Sequence, residues 1–292
     1  MLLLEQAELY TNDTLQAGVI ETIARESAVL EKLPFMTIAG NSYKYDLEDA
    51  LPTVDFRKVN TGYEANEGTI VQKTEGLVIL GGEVDVDRFV AQVKGNVNDI
   101  RAIQTQMKAK AVANTYTLKF FKGDADATGG MEFDGIDNRL DASQVIQPAK
   151  LDAEAGVGEL SIADLHKLLD LVEGGADVLY MSKKVRREIQ ALFEGQTHYI
   201  QVGKDEFGRP VEMFGDVQIR TVSDSILTGG DIYAVKFGIM SAVSGLTNGG
   251  VQVRDLGELD TLPVFRTRIE FYCGLAMFHP KAAARLKDIK LP

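Results

Sequence analysis

The chain has 292 residues, 45% of them apolar, with 31 Lys and Arg against 43 Asp and Glu, a formal net charge of −12. That length suffices for one large domain or two modest ones with a buried core, and that charge repels nucleic acid and anionic membranes unless a local basic patch overcomes it, which argues against a free nucleic-acid binder. Cys273 is the only cysteine, so no intrachain disulfide is possible, and "MLLLEQAELYTND" has neither the basic region nor the apolar stretch of a secretory signal, so a soluble intracellular product is expected.

From about Asp13 to Leu33, the residues Leu15, Val19, Ile20, Ile23, Leu30 and Leu33 partly fit one helical face, and "LPF" then stops the helix. The segment reads as an amphipathic arm. Next, "NSYKYDLEDALPTVDFRKVNTGYEANEGTIVQKTEG" alternates briefly at Tyr43, Tyr45 and Leu47 and again at Val54 and Phe56, with glycines and charges between. It reads as a long polar hairpin with too little apolar surface for a core of its own. Ordering it costs ~1–2 kcal/mol per residue in backbone entropy, so it is expected to be mobile unless a neighbour packs on it.

"LVILGGEVDVDRFVAQV" is strand-like, rich in β-branched residues. "NDIRAIQTQMKAKAVANTYTLKFF" predicts a helix from an Asn98 or Asp99 cap to Phe121, roughly 33 Å long, with Ile100, Ile103, Met107, Ala111 and Leu118 on a narrow stripe suited to lying across a sheet. In "FFKGDADATGGMEFDGIDN", Asp124, Asp126, Thr128 and Gly129 occupy the first, third, fifth and sixth positions of a calcium loop. The twelfth position, which should supply a bidentate Glu, is Gly135, and no helix is expected to follow. The stretch reads as a Gly-rich turn whose Asp side chains make local bonds.

"LSIADLHKLLDLV" begins with Ser161 and has Asp164 three residues on, a capping-box-like start. "ADVLYMSKKVRREIQALF" reads as strand, Ser182 cap, helix, giving an α/β region from about 155 to 245 punctuated by turns at "TGGD" and "TNGG". Lys183, Lys184, Arg186 and Arg187 crowd the first turns of that helix, where the macrodipole disfavours positive charge. They are either a solvated face or a subunit contact that meets acidic residues of a neighbouring copy. In "VFRTRIEFYCGLAMF", Phe265, Thr267, Ile269, Phe271, Cys273, Leu275 and Met277 share one face at a period of two, opposite Arg266, Arg268 and Glu270. A strand that long spans roughly 50 Å and suggests a plate-like subunit, whose projecting hairpin and arm find their packing partners on other copies.

Chemistry has no anchor in this sequence. Phosphate-cradling glycine motifs and the serine elbow are missing, and His166, His198 and His279 are scattered without metal-ligand spacing. Cys273 on an apolar strand face reads as a structural thiol. No catalytic, cofactor-binding or metal residue is assigned, and no cofactor is expected; a cytosolic metal-dependent enzyme built from dispersed carboxylates remains as an alternative.

The order of parts resembles the major capsid protein of tailed phages, the Hong Kong 97-type α+β fold. "YKYDLEDALPTVDFRKVNTGYEANEGTIVQKTEG" is similar to its extended hairpin loop and "NDIRAIQTQMKAKAVANTYTLKFF" to its spine helix. "FFKGDADATGGMEFDGI" is similar to its junction of helix end, Gly-Asp loop and "F-x-G-[LI]", and "FRTRIEFYCGLAMFHPKAAARL" to its closing "R-x-x-x-x-G-x-x-x-x-x-P-x-A". The resemblance implies an N-terminal arm over 1–39 and a hairpin over 40–80. It implies a peripheral domain with the spine helix over 81–152, completed by about 250–278, and an axial α/β domain over 153–249, completed by about 279–292. It further implies pentamers and hexamers of an icosahedral virion shell around double-stranded DNA that is held without sequence-specific binding. Scaffolding, portal and decoration proteins would be partners, no membrane would be involved, and assembly would occur in the host cytoplasm. Some members cross-link a hairpin lysine to a neighbour's asparagine; Lys58 and Lys73 lie in the hairpin, but no motif identifies a cross-linking set. The scaffolding segment that precedes the arm in many members is expected to be removed or replaced by a separate protein. An encapsulin-like cellular compartment has the same fold and is the second reading.

Overall fold

The computed structural model describes residues 14–50, 52–90, 100–152, 156–193, 200–204 and 210–291. The start of the arm, the Asn98 or Asp99 cap and His198 lie outside them, as does the side chain of Leu15.

Helix α1 (Thr14–Glu26) is shorter than the periodicity predicts. Ser27 ends it: its Oγ accepts from the Leu30 backbone N–H at 3.1 Å and meets the Thr117 hydroxyl at 2.7 Å, so residues 27–33 turn and carry Val29, Leu30 and Leu33 into the core. The arm expected to pack on other copies is thus corrected from Thr14 onward. Its apolar face, Val19, Ile20 and Ile23, is buried in the chain's own core. Gln16 also donates to the Val251 carbonyl at 2.7 Å.

Strands β1 (Phe35–Thr37), β4 (Val78–Asp87), β13 (Val243–Glu258) and β14 (Val264–Met277) form a four-stranded sheet in the order β1-β13-β14-β4, with β1 parallel to β13 and the rest antiparallel. Alternation along β14 holds from Thr267 to Cys273, with Thr267, Ile269, Phe271 and Cys273 buried. Phe265, expected on the same face, is only half-buried, and from Cys273 to Met277 both faces are buried, Ala276 against the hairpin root. "TNGG" is no turn between strands. It is a bulge within β13, where the register against β14 shifts between Thr247 and Val251 and Gly249 and Gly250 take φ of 80° and 67°. Thr247 holds it, accepting from the Gly250 N–H at 3.2 Å and donating to the Tyr272 carbonyl at 3.0 Å.

Helix α2 (Ile100–Lys122) crosses this sheet with a different face from the one expected. Thr105, Ala109, Val112, Ala113, Tyr116, Thr117, Phe120 and Phe121 are buried, whereas Ile103 and Met107 are exposed and Leu118 is only partly covered. Small residues bring the backbone close, and the aromatic rings of the last turns fill the space beneath. A stripe of the largest aliphatic residues is a poor guide when packing favours close approach.

Strands β5 (Val145–Ile146), β8 (Val178–Ser182), β9 (Ile200–Lys204), β10 (Pro210–Phe214), β11 (Val217–Val222), β12 (Ile232–Val235) and β15 (Ala283–Leu286) form a seven-stranded sheet in the order β5-β15-β12-β8-β11-β10-β9, while β6 (Lys150–Asp152) and β7 (Val157–Glu159) pair with each other. After α3 (Ile136–Arg139), helices α4 (Ile162–Asp170) and α5 (Lys183–Phe193) cover one face, packing on Leu179, Met181, Ile219 and Ile232. The other face, through Tyr180 and Tyr233, joins the core beneath α2. Every residue of β8 is therefore buried, which accounts for its unbroken apolar run. Both caps read from the sequence form: Asp164 N–H donates to Ser161 Oγ at 3.2 Å and Val185 N–H to Ser182 Oγ at 3.3 Å.

Candidate assembly surface

Strands β2 (Ser42–Ala50) and β3 (Thr69–Gly76) pair from Ser42↔Gly76 to Ala50↔Thr69, and the chain beyond them projects as a hairpin. All residues from 52 to 74 are exposed, including Val54 at 90% and Phe56 at 107%. The tip is organised by its own contacts alone among the described residues. Thr61 donates N–H and Oγ1–H to the Lys58 carbonyl, at 3.2 and 2.7 Å, and the Arg57 guanidinium lies 5.3 Å from the centre of the Tyr63 ring.

The root differs. Tyr43 and Tyr45 stack and meet Phe278, in a small core with Ile38, Leu47 and Leu246. Arg139, the last residue of α3, clamps Glu75 near the end of β3: Nη1 bonds Oε1, and Nη2 donates to Oε2 at 2.8 Å and to the Leu275 carbonyl at 3.0 Å. Its Nε donates to the Asp134 carbonyl at 2.9 Å. Tyr45 Oη donates to Glu75 Oε1 and to the Met277 carbonyl, both at 3.2 Å. Burial, and then the Glu75 charge, push the Tyr45 phenol up to about 12, so it stays a neutral donor.

The loop tested as a calcium site is the corner that delivers Arg139. Asp124 Oδ1 accepts from Ala127 N–H and Asp134 Oδ1 from Ala125 N–H, each at 2.9 Å, and Gly129 and Gly130 have φ of 65° and 84°. Gly135 N–H donates to the Gly123 carbonyl at 3.0 Å. The backbones approach so closely that a Cβ at Gly135 would sit 2.5 Å from Gly123 N. The short α3 follows directly, where no helix was expected; its four residues position Asn138, which donates to the Gly123 carbonyl at 3.0 Å, and Arg139. Neither Glu75 nor Arg139 was legible from local sequence, because they pair across 64 residues.

Of the basic cluster on α5, Arg186 is engaged within the chain, its Nε and Nη2 donating to Glu212 at 2.9 and 2.6 Å. Lys183, Lys184 and Arg187 are exposed. On the outer face of the four-stranded sheet, Arg266 takes Asp85 in two bonds of 2.7 and 2.6 Å, and Arg268 takes Glu83 at 2.8 Å. The dispersed chemical candidates stay apart. His166 lines an open groove of ≈ 850 Å³ with Asp170, Asp177 and Asp216 and lies 5.2 Å from Phe214. His279 Nδ1 accepts from the Lys281 N–H at 3.2 Å. Burial pushes the Cys273 thiol up to about 12. Among the described residues, no group of three or more His, Cys, Asp or Glu is placed to hold a metal ion.

The family model of the major capsid protein GP7 matches residues 11–162. The chain belongs to that family. Major capsid protein GP7 members are structural proteins, and the solved structures this capsid chain resembles agree in fold. They include the SrpI encapsulin complex of Synechococcus elongatus, with a TM-score of 0.69 at 13% identity over 90% of this chain and 87% of the other. Microbacterium phage Oxtober96 gives 0.65 at 14% identity, over 90% of each chain. The capsid of cyanophage A-1(L) gives 0.64 at 15% identity, over 90% of this chain and 93% of the other. None of the curated proteins matches by sequence. The fold is the Hong Kong 97-type α+β fold, and the chain is a shell-forming major capsid protein of the virion.

Proposed function

We propose that this capsid protein assembles through pentamers and hexamers into an icosahedral phage head around double-stranded DNA. The observation that carries the reading is the hairpin, which leaves Val54, Phe56 and Val59 with no cover of its own. Burying one such side chain contributes about 1.5–3 kcal/mol, so a surface on a neighbouring copy stabilises both. Each contact is weak, but many neighbours hold every copy. In this reading the arm is 1–39, the hairpin 40–80, the peripheral domain 81–152 with about 250–278, and the axial domain 153–249 with about 279–292. A net charge of −12 keeps the wall from gripping the packaged DNA. A scaffolding protein, a portal and decoration proteins act with it, and assembly takes place in the host cytoplasm.

Lys183, Lys184 and Arg187 meet acidic residues of a neighbouring copy, while Arg186 braces α5 through Glu212. Reversing those three exposed charges would weaken assembly at low salt, and added salt, which screens the new repulsion, would restore part of it.

The second reading is a cellular compartment that encloses enzymes, favoured by the TM-score of 0.69 to the SrpI encapsulin. Electron microscopy of the purified particles with a nuclease-protection assay separates the two. Shells that are empty or filled with protected DNA support the phage head, shells filled with protein cargo support the compartment, and small particles without shells would refute both.

A further inference from the structure

The hairpin tip touches only itself among the described residues, yet one carboxylate ties its root to the body. Glu75 receives Arg139 from the corner and Tyr45 from the opposite hairpin strand, and the same two side chains reach the Leu275 and Met277 carbonyls at the end of β14. The pair is enclosed, with Arg139 and Glu75 side chains 9% and 15% exposed. Three elements therefore meet at Glu75.

Other links also join hairpin and body: Asn248 Nδ2 donates to the Gly40 carbonyl at 3.3 Å where the chain enters, and Leu47 packs with Leu246 and Ala276. Among the described side-chain links, the Glu75 fork is the one that holds its partners in a fixed plane. The main chain enters past Gly40, at φ 107°, and leaves at Gly76. The ring contacts of Tyr43, Tyr45 and Phe278 are apolar, and apolar attraction is largely non-directional. A guanidinium fork on a carboxylate, by contrast, holds both partners in one plane and one orientation. Desolvation offsets much of the attraction in a buried pair, so what the fork supplies is orientation. The leverage is large: β2 spans ~30 Å, and a rotation of about 10° at its root displaces its far end by roughly 5 Å.

We infer that Arg139 and Glu75 are positioning residues that set the angle at which the hairpin leaves the body, and so select which surface of a neighbouring copy the tip meets. The consequence for assembly rests on the shell reading above; the angle itself does not.

Spin labels at Thr61→Cys on the tip and Asn114→Cys on the exposed side of α2 would report that angle, because the buried Cys273 thiol stays unlabelled. Distances are read by pulsed electron resonance in the unassembled full-length chain, and shells of the unlabelled variants are counted by electron microscopy. In Glu75→Gln the distance distribution should broaden markedly and the yield of closed shells should fall several-fold, while thermal unfolding stays cooperative. Arg139→Lys keeps the charge without the fork and should fall between Glu75→Gln and the parent in both readouts. Distributions of unchanged mean and width in both variants would overturn the inference. So would loss of cooperative unfolding in both, which would assign the pair to subunit stability. If the parent itself forms no shells, the shell reading fails, while a broadened distribution would still uphold the latch.

Discussion

Tyr116 sits among the rings of Phe35, Phe133 and Phe271, fully buried, and its hydroxyl meets no hydrogen-bond partner among the described residues. An unmet buried hydroxyl costs about 1–3 kcal/mol, so Tyr116→Phe should leave the subunit as stable or stabilise it by about 1 kcal/mol, read from the denaturant midpoint. Glu212 behaves oppositely. The Arg186 hydrogen bonds hold its carboxyl below the ordinary value, so its contribution is present above the unfolded-chain value of about 4.3 and is lost as pH falls through the lower folded value. Glu212→Gln should therefore cost about 0.5–1 kcal/mol at neutral pH, and the difference from the parent should shrink as the medium is acidified below about pH 4. At this scale the sequence was readable where a residue's surroundings follow from its own strand: Cys273 is buried because alternation puts it there. It was not readable where two residues meet across the fold, as at Arg139 and Glu75.

The helices show where periodicity misleads. The stripe through Ile103 and Met107 fits a helix, but the packed face runs through Ala109 and Ala113, both fully buried. Ala113→Leu should accordingly cost about 1–3 kcal/mol by overpacking, while Ile103→Ser should change subunit stability by less than about 0.5 kcal/mol; chemical unfolding of the unassembled chain measures both. The middle of strand β14, from Thr267 to Cys273, was legible from its period of two because only one face is covered there; beyond Cys273 the hairpin root covers the other face as well, and the alternation ends. The bulge in β13 was not. Glycine pairs signal positive φ without saying whether the chain reverses there or runs on, and only the pairing with β14 decides. The arm was visible as an amphipathic helix, but its partner was misassigned, because an apolar face does not name the surface that covers it.

For the whole molecule, the order of hairpin, long helix, corner and returning strand carried the family, more than any single motif. The exposed tip then makes a prediction that separates folding from assembly. Phe56→Ser should leave the melting transition of the unassembled chain unchanged and reduce shell formation, measured by sedimentation, because the ring is fully exposed among the described residues. The body behind the hairpin has a mechanical property of its own. Strands β13 and β14 run side by side from Val243↔Met277 to Glu258↔Phe265. A pull along their length loads those cross-strand bonds together in shear, whereas a pull at right angles opens them one after another. A container stretched by what it holds would withstand most where its tension follows these strands, and would tear first where tension crosses them.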